Sequence, residues 1–236
     1  MPGVSLLFQV YFLYAAFMAS IRADRILYND EHLLVVYKLE GELVVTAGGF
    51  GKKPLFDFLK KDYPGLRVVH RLDFGTSGVI VFAKTGEALR TIREKSFRGW
   101  VKTYRCLVAG YMDRKVGTIE RALPARTKNE LVPAVSKFKV LEAFPTASYV
   151  EVIIETGRKH QIRHHMKFIG HPLLLDPLYG NDAMNKAFVK HHKYHRFFLH
   201  AFSLDFPHPI TGEKLHIEAK IPPVFEKVLK ELRSKV

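Results

Sequence analysis

Hydrophobic positions in this chain come in short blocks separated by polar turns. Runs rich in β-branched and aromatic side chains at 33–37, 43–47, 79–83, 103–109 and 149–155 predict strands, and the last two alternate in polarity as half-buried strands do. Helices are predicted over 54–62, 86–98, 159–169, 182–191 and 222–234. The last is opened by Pro222-Pro223 and sets Val224, Phe225, Val228, Leu229 and Leu232 at helical spacing. No regular βαβ rhythm links these elements. The pattern therefore predicts an α+β fold built on a mixed, largely antiparallel sheet flanked by helices.

Residues 4–19 depart from this pattern, being apolar almost throughout and uncharged. The run is shorter than the ~20 residues of a spanning helix, and the three residues before it lack the Lys or Arg of a signal peptide's start. We read 1–20 as an apolar extension packed on the body, or as a translation start placed too far upstream. One domain is expected over 21–236, with no membrane partner.

Composition changes the picture through charge. The chain has 37 Lys and Arg against 23 Asp and Glu, a formal +14 over 236 residues, which favours a polyanionic partner, nucleic acid or anionic membrane. Residues 156–200 hold eight Lys or Arg and eight of the twelve His, with only Asp176 and Asp182 as acids. Such a segment would make a cationic wall suited to phosphates. Cys106 is the only cysteine, so neither an internal disulfide nor a Cys-based metal site is available, which fits a reducing, cytoplasmic setting. No Gly-x-Gly-x-x-Gly or Walker-type loop appears, and no internal repeat.

The candidate chemistry lies in His70-Arg71-Leu72-Asp73-Phe74-Gly75-Thr76-Ser77-Gly78, directly before the apolar run 79–83. The β-prone residues before this run and the turn residues after Asp73 place one carboxylate where a strand gives way to a loop. An aspartate is ionised at neutral pH without a helper base, its free pKa being about 3.9. An isolated Asp-x-Gly-Thr is more often a turn residue accepting amide hydrogen bonds, so the run alone does not decide the matter.

This run resembles the His-Arg-Leu-Asp signature of RNA pseudouridine synthases of the RluA type. Further matches follow in order: 25–36, Lys102-Thr103-Tyr104-Arg105, the stretch from Thr156 to Arg163, the stretch from Gly170 to Gly180, and Leu199-His200-Ala201. The resemblance covers roughly residues 25 to 225 and implies the pseudouridine synthase fold, a bent sheet with a central RNA-binding cleft. It implies isomerisation of specific uridines in structured ribosomal or transfer RNA by an aspartate, with no cofactor and no metal; a monomer is expected, with oligomeric state left open by the sequence. By resemblance, Asp73 is the catalytic carboxylate, Arg163 its ion-pair partner in a bidentate contact, and Tyr104 the active-site tyrosine that stacks on the flipped base. Tyr104 would serve as a base only if the pocket tuned it.

Arg71 is the candidate base-flipping wedge, with a plain phosphate contact as the alternative. His70, Arg158, His160 and Gln161 complete the candidate RNA-binding set. Whether Asp73 attacks C6 or C1′ or abstracts the 2′ proton stays open. Two departures stand out: Lys38-Leu39-Glu40-Gly41 where the family usually has Lys-Pro-x-Gly, and Leu174-Leu175-Asp176 where it often has Leu-Gly-Asp. The rival readings are a catalytically inactive RNA-binding protein of the same fold and a metal-dependent hydrolase. The latter would use His160, His164 and His165 with Asp73 or Asp176, although no His-Glu-x-x-His spacing supports it.

Overall fold

The computed structural model describes residues 21–46, 53–125 and 130–234. The apolar extension over 1–20 lies outside the described residues. A short 3-10 turn, Ala23–Arg25, leads into β1 (Ile26–Asn29) and β2 (Leu33–Lys38), followed by α1 (Leu55–Asp62), β3 (Arg67–Val68), β4 (Ser77–Ala83) and α2 (Gly86–Glu94). Then come β5 (Val101–Ala109), β6 (Val116–Glu120), β7 (Leu123–Pro124), β8 (Leu131–Val132), β9 (Val135–Phe144) and β10 (Ala147–Ile154). The C-terminal third holds α3 (Gln161–Phe168), α4 (Asp182–His192), β11 (Leu199–Pro207), β12 (Lys214–Glu218) and α5 (Pro223–Arg233).

Ten of the strands form one sheet in the order β1-β2-β4-β11-β5-β10-β9-β6, with β3 beside β4 and β12 beside β11. Every pairing is antiparallel except β4 with β11, where His200 faces Ser77 and Ala201 faces Gly78. Gly78 makes that seam possible. Its φ is +115°, and a Cβ there would lie 2.1 Å from the carbonyl oxygen of Ala201, so only glycine lets the strands close. Ala201 in turn faces Tyr104 on β5, so β11 joins the half of the sheet that leads out of Asp73 to the half that carries Tyr104.

The centre of the sheet is covered on both faces. Leu34, Val36, Ile80 and Phe82 pack with α1, α4 and α5 in one core, while Leu33, Val35, Val79 and Val81 pack with α2, Trp100 and Phe206 in the other. Burial on both sides explains why β2 and β4 read as unbroken apolar runs without alternation.

The expected strand at 43–47 is not formed over its described residues. The carbonyls of Leu43 and Val44 instead accept the amides of Leu55 and Phe56 at 2.7 and 3.1 Å, satisfying the open N-terminus of α1, so they are not free to join a ladder. The helix predicted over 86–98 stops at Glu94 because Ser96 and Phe97 both turn left-handed, at φ +47° and +60°. His160, at φ +53°, likewise delays the start of α3 to Gln161.

Candidate active site

Three cavities meet beside the β4–β11–β5 seam. A small one of about 90 Å³ has Asp73, Tyr104 and Arg163 among its walls. It opens on one side to a cavity of about 550 Å³ lined by Leu43, Val44, Leu175, Leu178, Phe197 and Arg196 together with Asp73, His160 and Arg163. On the other side lies a second cavity of about 550 Å³, with Arg71, Lys102, Arg158 and Lys159 in its walls. Arg71 borders all three, is exposed, and forms no ion pair with a described residue.

Asp73 sits in the turn between β3 and β4, where its own carbonyl accepts the Thr76 amide at 3.0 Å. Lys38 holds that turn from below. It is fully buried at the end of β2, and its ammonium donates to the carbonyls of Leu39, Phe74 and Thr76 at 3.0, 3.3 and 2.6 Å. Burial pushes the Lys38 amine down to about 8, with partial relief from Glu42 and Asp73.

Arg163 reaches Asp73 from α3, Nη1 lying 3.3 Å from Oδ2. The contact uses one nitrogen, which corrects the expected bidentate pair. The fork is occupied elsewhere: Nε and Nη2 donate to Oδ2 and Oδ1 of Asp176 at 2.6 and 2.7 Å. The guanidinium also lies against the rings of Tyr179 and Phe197, at 4.9 and 4.8 Å. Burial opposes the charge on Arg163, but the two carboxylates outweigh it and raise its pKa above the ordinary value. For Asp176, burial favours the neutral acid, yet hydrogen bonds from Arg163 and from the Leu178 and Tyr179 amides hold its pKa below the usual range.

His160 stands on the other side of the carboxylate, Nε2 being 3.6 Å from Asp73 Oδ1 and Nδ1 3.0 Å from the Tyr179 hydroxyl. Its pKa is lowered by burial, and the nearby Arg163 and Lys159 charges add to this against the pull of Asp73. At neutral pH it is therefore a neutral imidazole, able to hydrogen-bond but not to neutralise Asp73.

Tyr104 is buried on β5 and borders the same small cavity as Asp73. Burial, reinforced by the negative charge of Asp73, raises its phenol pKa well above 10. The pocket thus tunes Tyr104 away from base catalysis and leaves it a ring to stack on and a protonated hydroxyl.

The candidate RNA contacts divide. Arg71 and Arg158 are exposed at the cavity walls, although Arg158 also donates to the Pro133 carbonyl at 3.4 Å. Gln161 is buried and fully engaged: its oxygen accepts from Thr156 Oγ1 and the Arg158 amide, and its nitrogen donates to the Val135 carbonyl and Ser136 Oγ. It fastens the start of α3 to β9, and no donor is left for RNA.

His70 is structural in the same way. Its Nε2 accepts the Val81 amide at 3.1 Å and its ring meets Trp100 edge-on, while burial lowers its pKa to about 3. Lys102, not anticipated as a contact, carries an amine lowered to about 8 by burial, 5.8 Å from the Phe97 and Trp100 rings. Its position in the Lys-Thr-Tyr match was the available signal.

The hydrolase reading fails on His165, whose two nitrogens lie 2.8 Å from Ser136 Oγ and 3.0 Å from the Arg121 carbonyl. Among the described residues, no three His, Cys, Asp or Glu side chains converge as a metal site. Also among them, no helix is long and apolar enough to cross a membrane.

Comparison with known proteins agrees with this geometry. The family model described as RNA pseudouridylate synthase matches residues 32–168, more than half of the chain. Ribosomal large subunit pseudouridine synthase C of Vibrio vulnificus is 36% identical over 224 residues, covering 89% of this chain and 70% of that protein. The proteins of the same name from Salmonella typhi and Escherichia coli K12 are 37% and 36% identical over 227 and 226 residues, each covering 90% of this chain and 71% of the relative. Among solved structures, human RNA pseudouridylate synthase domain containing 4 superposes with a TM-score of 0.75 at 23% identity, covering 94% of this chain and 98% of that one. Human RNA pseudouridylate synthase domain containing 1 gives 0.70 at 23%, with 89% and 94% covered. At that identity the two human structures speak for the fold.

Proposed function

The chain belongs to the RNA pseudouridylate synthase family and isomerises uridine to pseudouridine in RNA; from that premise we propose that its substrate is ribosomal RNA and that Asp73 is the catalytic carboxylate. The observation that carries the residue assignment is the side chain of Asp73, 30% exposed at the junction of the cavities and oriented through one oxygen by the 4% exposed Arg163. The names of the bacterial relatives support ribosomal RNA of the large subunit over transfer RNA.

The reaction breaks the N1–C1′ bond, turns the uracil and joins C5 to C1′; N1 gains a proton and C5 loses one, so atoms balance with no cofactor. Attack at C1′, attack at C6 and abstraction of the 2′ proton all begin from an ionised Asp73 whose outer oxygen faces the nucleoside. Tyr104 stacks against the extruded uracil with its hydroxyl protonated. Apolar walls from Leu43, Val44, Leu175 and Phe197 keep water from the detached ring. Arg71, where all three cavities meet, fills the gap left by the swung-out uridine. Lys102, Arg158 and Lys159 receive the RNA backbone in the adjoining cavity. We further propose residues 21–236 as one catalytic domain working in the cytoplasm.

The test is tritium release from uridine-C5-labelled RNA, followed by mapping of the modified nucleotide in a deletion strain. A missing pseudouridine in large-subunit ribosomal RNA is expected. Loss confined to transfer RNA overturns the substrate assignment.

A further inference from the structure

Asp176 has the least exposed carboxylate of the cleft, with a side chain 0% exposed. Its Oδ1 accepts the backbone amides of Leu178 and Tyr179 at 2.9 and 3.1 Å, and its own carbonyl accepts the Gly180 amide at 3.0 Å. The loop therefore holds the carboxylate rigidly, and whatever is fastened to it is rigid too. Arg163 is fastened by Nε and Nη2, with its guanidinium against two aromatic rings, so Nη1 alone remains to meet Asp73.

We propose that Asp176 is a positioning residue that occupies two guanidinium nitrogens of Arg163, so that Arg163 steadies Asp73 by one oxygen and leaves the other free to react. The inference rests on Asp73 being the attacking carboxylate. Arg163 thus divides its contacts between two carboxylates. With Asp176 neutralised, the fork turns onto Asp73, ties both of its oxygens and gives it an undivided counter-charge. A carboxylate clasped in that way is slower to attack.

The groups facing Asp73 are Arg163 and His160 near the start of α3, Lys38 from β2, Tyr104 from β5, Tyr179 from the following loop, and Arg71 beside it.

The experiment compares the parent, Asp176→Asn and Asp176→Glu in single-turnover tritium release on a uridine-containing ribosomal stem-loop at neutral pH, with RNA affinity measured in parallel. For Asp176→Asn we expect the rate to fall about 100-fold with affinity within about threefold. Asp176→Glu keeps the charge but pushes the guanidinium out by a methylene; it should lose rate with RNA affinity kept. An unchanged rate in either variant overturns the proposal, as does a rate loss in Asp176→Asn matched by an equal loss of RNA affinity, the signature of a merely structural carboxylate. If Asp176→Asn does not fold, the rate-against-affinity split in Asp176→Glu decides. A parent that releases no tritium overturns the reading of Asp73 itself, a different and recognisable failure.

Discussion

Arg163 and Asp73 meet through a single contact, Nη1 to Oδ2 at 3.3 Å, although each side chain is capable of two. A planar fork is needed to hold Asp176 edge-on and still reach a second carboxylate, and an ammonium is a point charge that cannot do both. Arg163→Lys should therefore lower turnover by about 10²- to 10³-fold with KM for RNA little changed. Asp73→Asn should abolish tritium release with binding retained. Parent-like function in Asp73→Asn would instead support the inactive RNA-binding reading.

Arg71 has no described ion-pair partner to satisfy and borders every cavity of the site. As a wedge it replaces stacking lost when a paired uridine leaves its helix, a cost of a few kcal/mol that an unstructured strand does not incur. Arg71→Ala should reduce kcat/KM on a folded stem-loop at least tenfold more than on an unstructured oligomer of the same sequence. Equal losses on the two substrates would make it a phosphate contact.

His70 makes folding sensitive to acid. Its imidazole resists protonation down to about 3 in the fold, whereas the unfolded chain takes up that proton near 6.5. Between those values the unfolded state binds more protons, so the stability tied to neutral His70 is complete above pH 6.5 and drains away as pH falls toward 3. His200, lowered to about 4 by burial, pushes the same way. In urea unfolding, the parent should lose about 1–2 kcal/mol more than His70→Gln on going from pH 7 to pH 5. Parallel losses in the two proteins would place the acid sensitivity elsewhere.

Leu175 stands where the family often has glycine, and the structure gives the reason: its φ is +62°. A left-handed leucine costs about 1–2 kcal/mol, but the side chain is 6% exposed within the main core, where truncation costs about 2–5 kcal/mol. Leu175→Gly should thus be destabilising by about 1–3 kcal/mol in spite of relieving the backbone. A rise in melting temperature would mean that the left-handed turn dominates.

The core strands were legible because burial on both faces writes itself as long apolar runs, as at Leu33–Lys38 and Ser77–Ala83. The hairpin strand Val135–Phe144 was legible too, with Phe138 and Val140 inward and Lys137 and Lys139 outward, but its charged outer face diluted the signal and it was not predicted. Asp73 and Arg163 could be matched by motif, whereas the part played by Asp176 could not, because it depends on which donors of Arg163 are already engaged. For Gln161 and His70, sequence offered polar groups near a cleft without saying that their hydrogen bonds were committed to backbone. The turn at 43–46 misled for a related reason: its carbonyls serve helix amides twelve residues on.

The seam at Gly78 and Ala201 has a bearing on how the molecule comes into being. β11, which joins the two halves of the sheet, is made after four-fifths of the chain, and until it slides between β4 and β5 nothing sets Asp73 beside Tyr104. Bringing the catalytic pair together is therefore a long-range event, completed by a strand far along the chain from both residues.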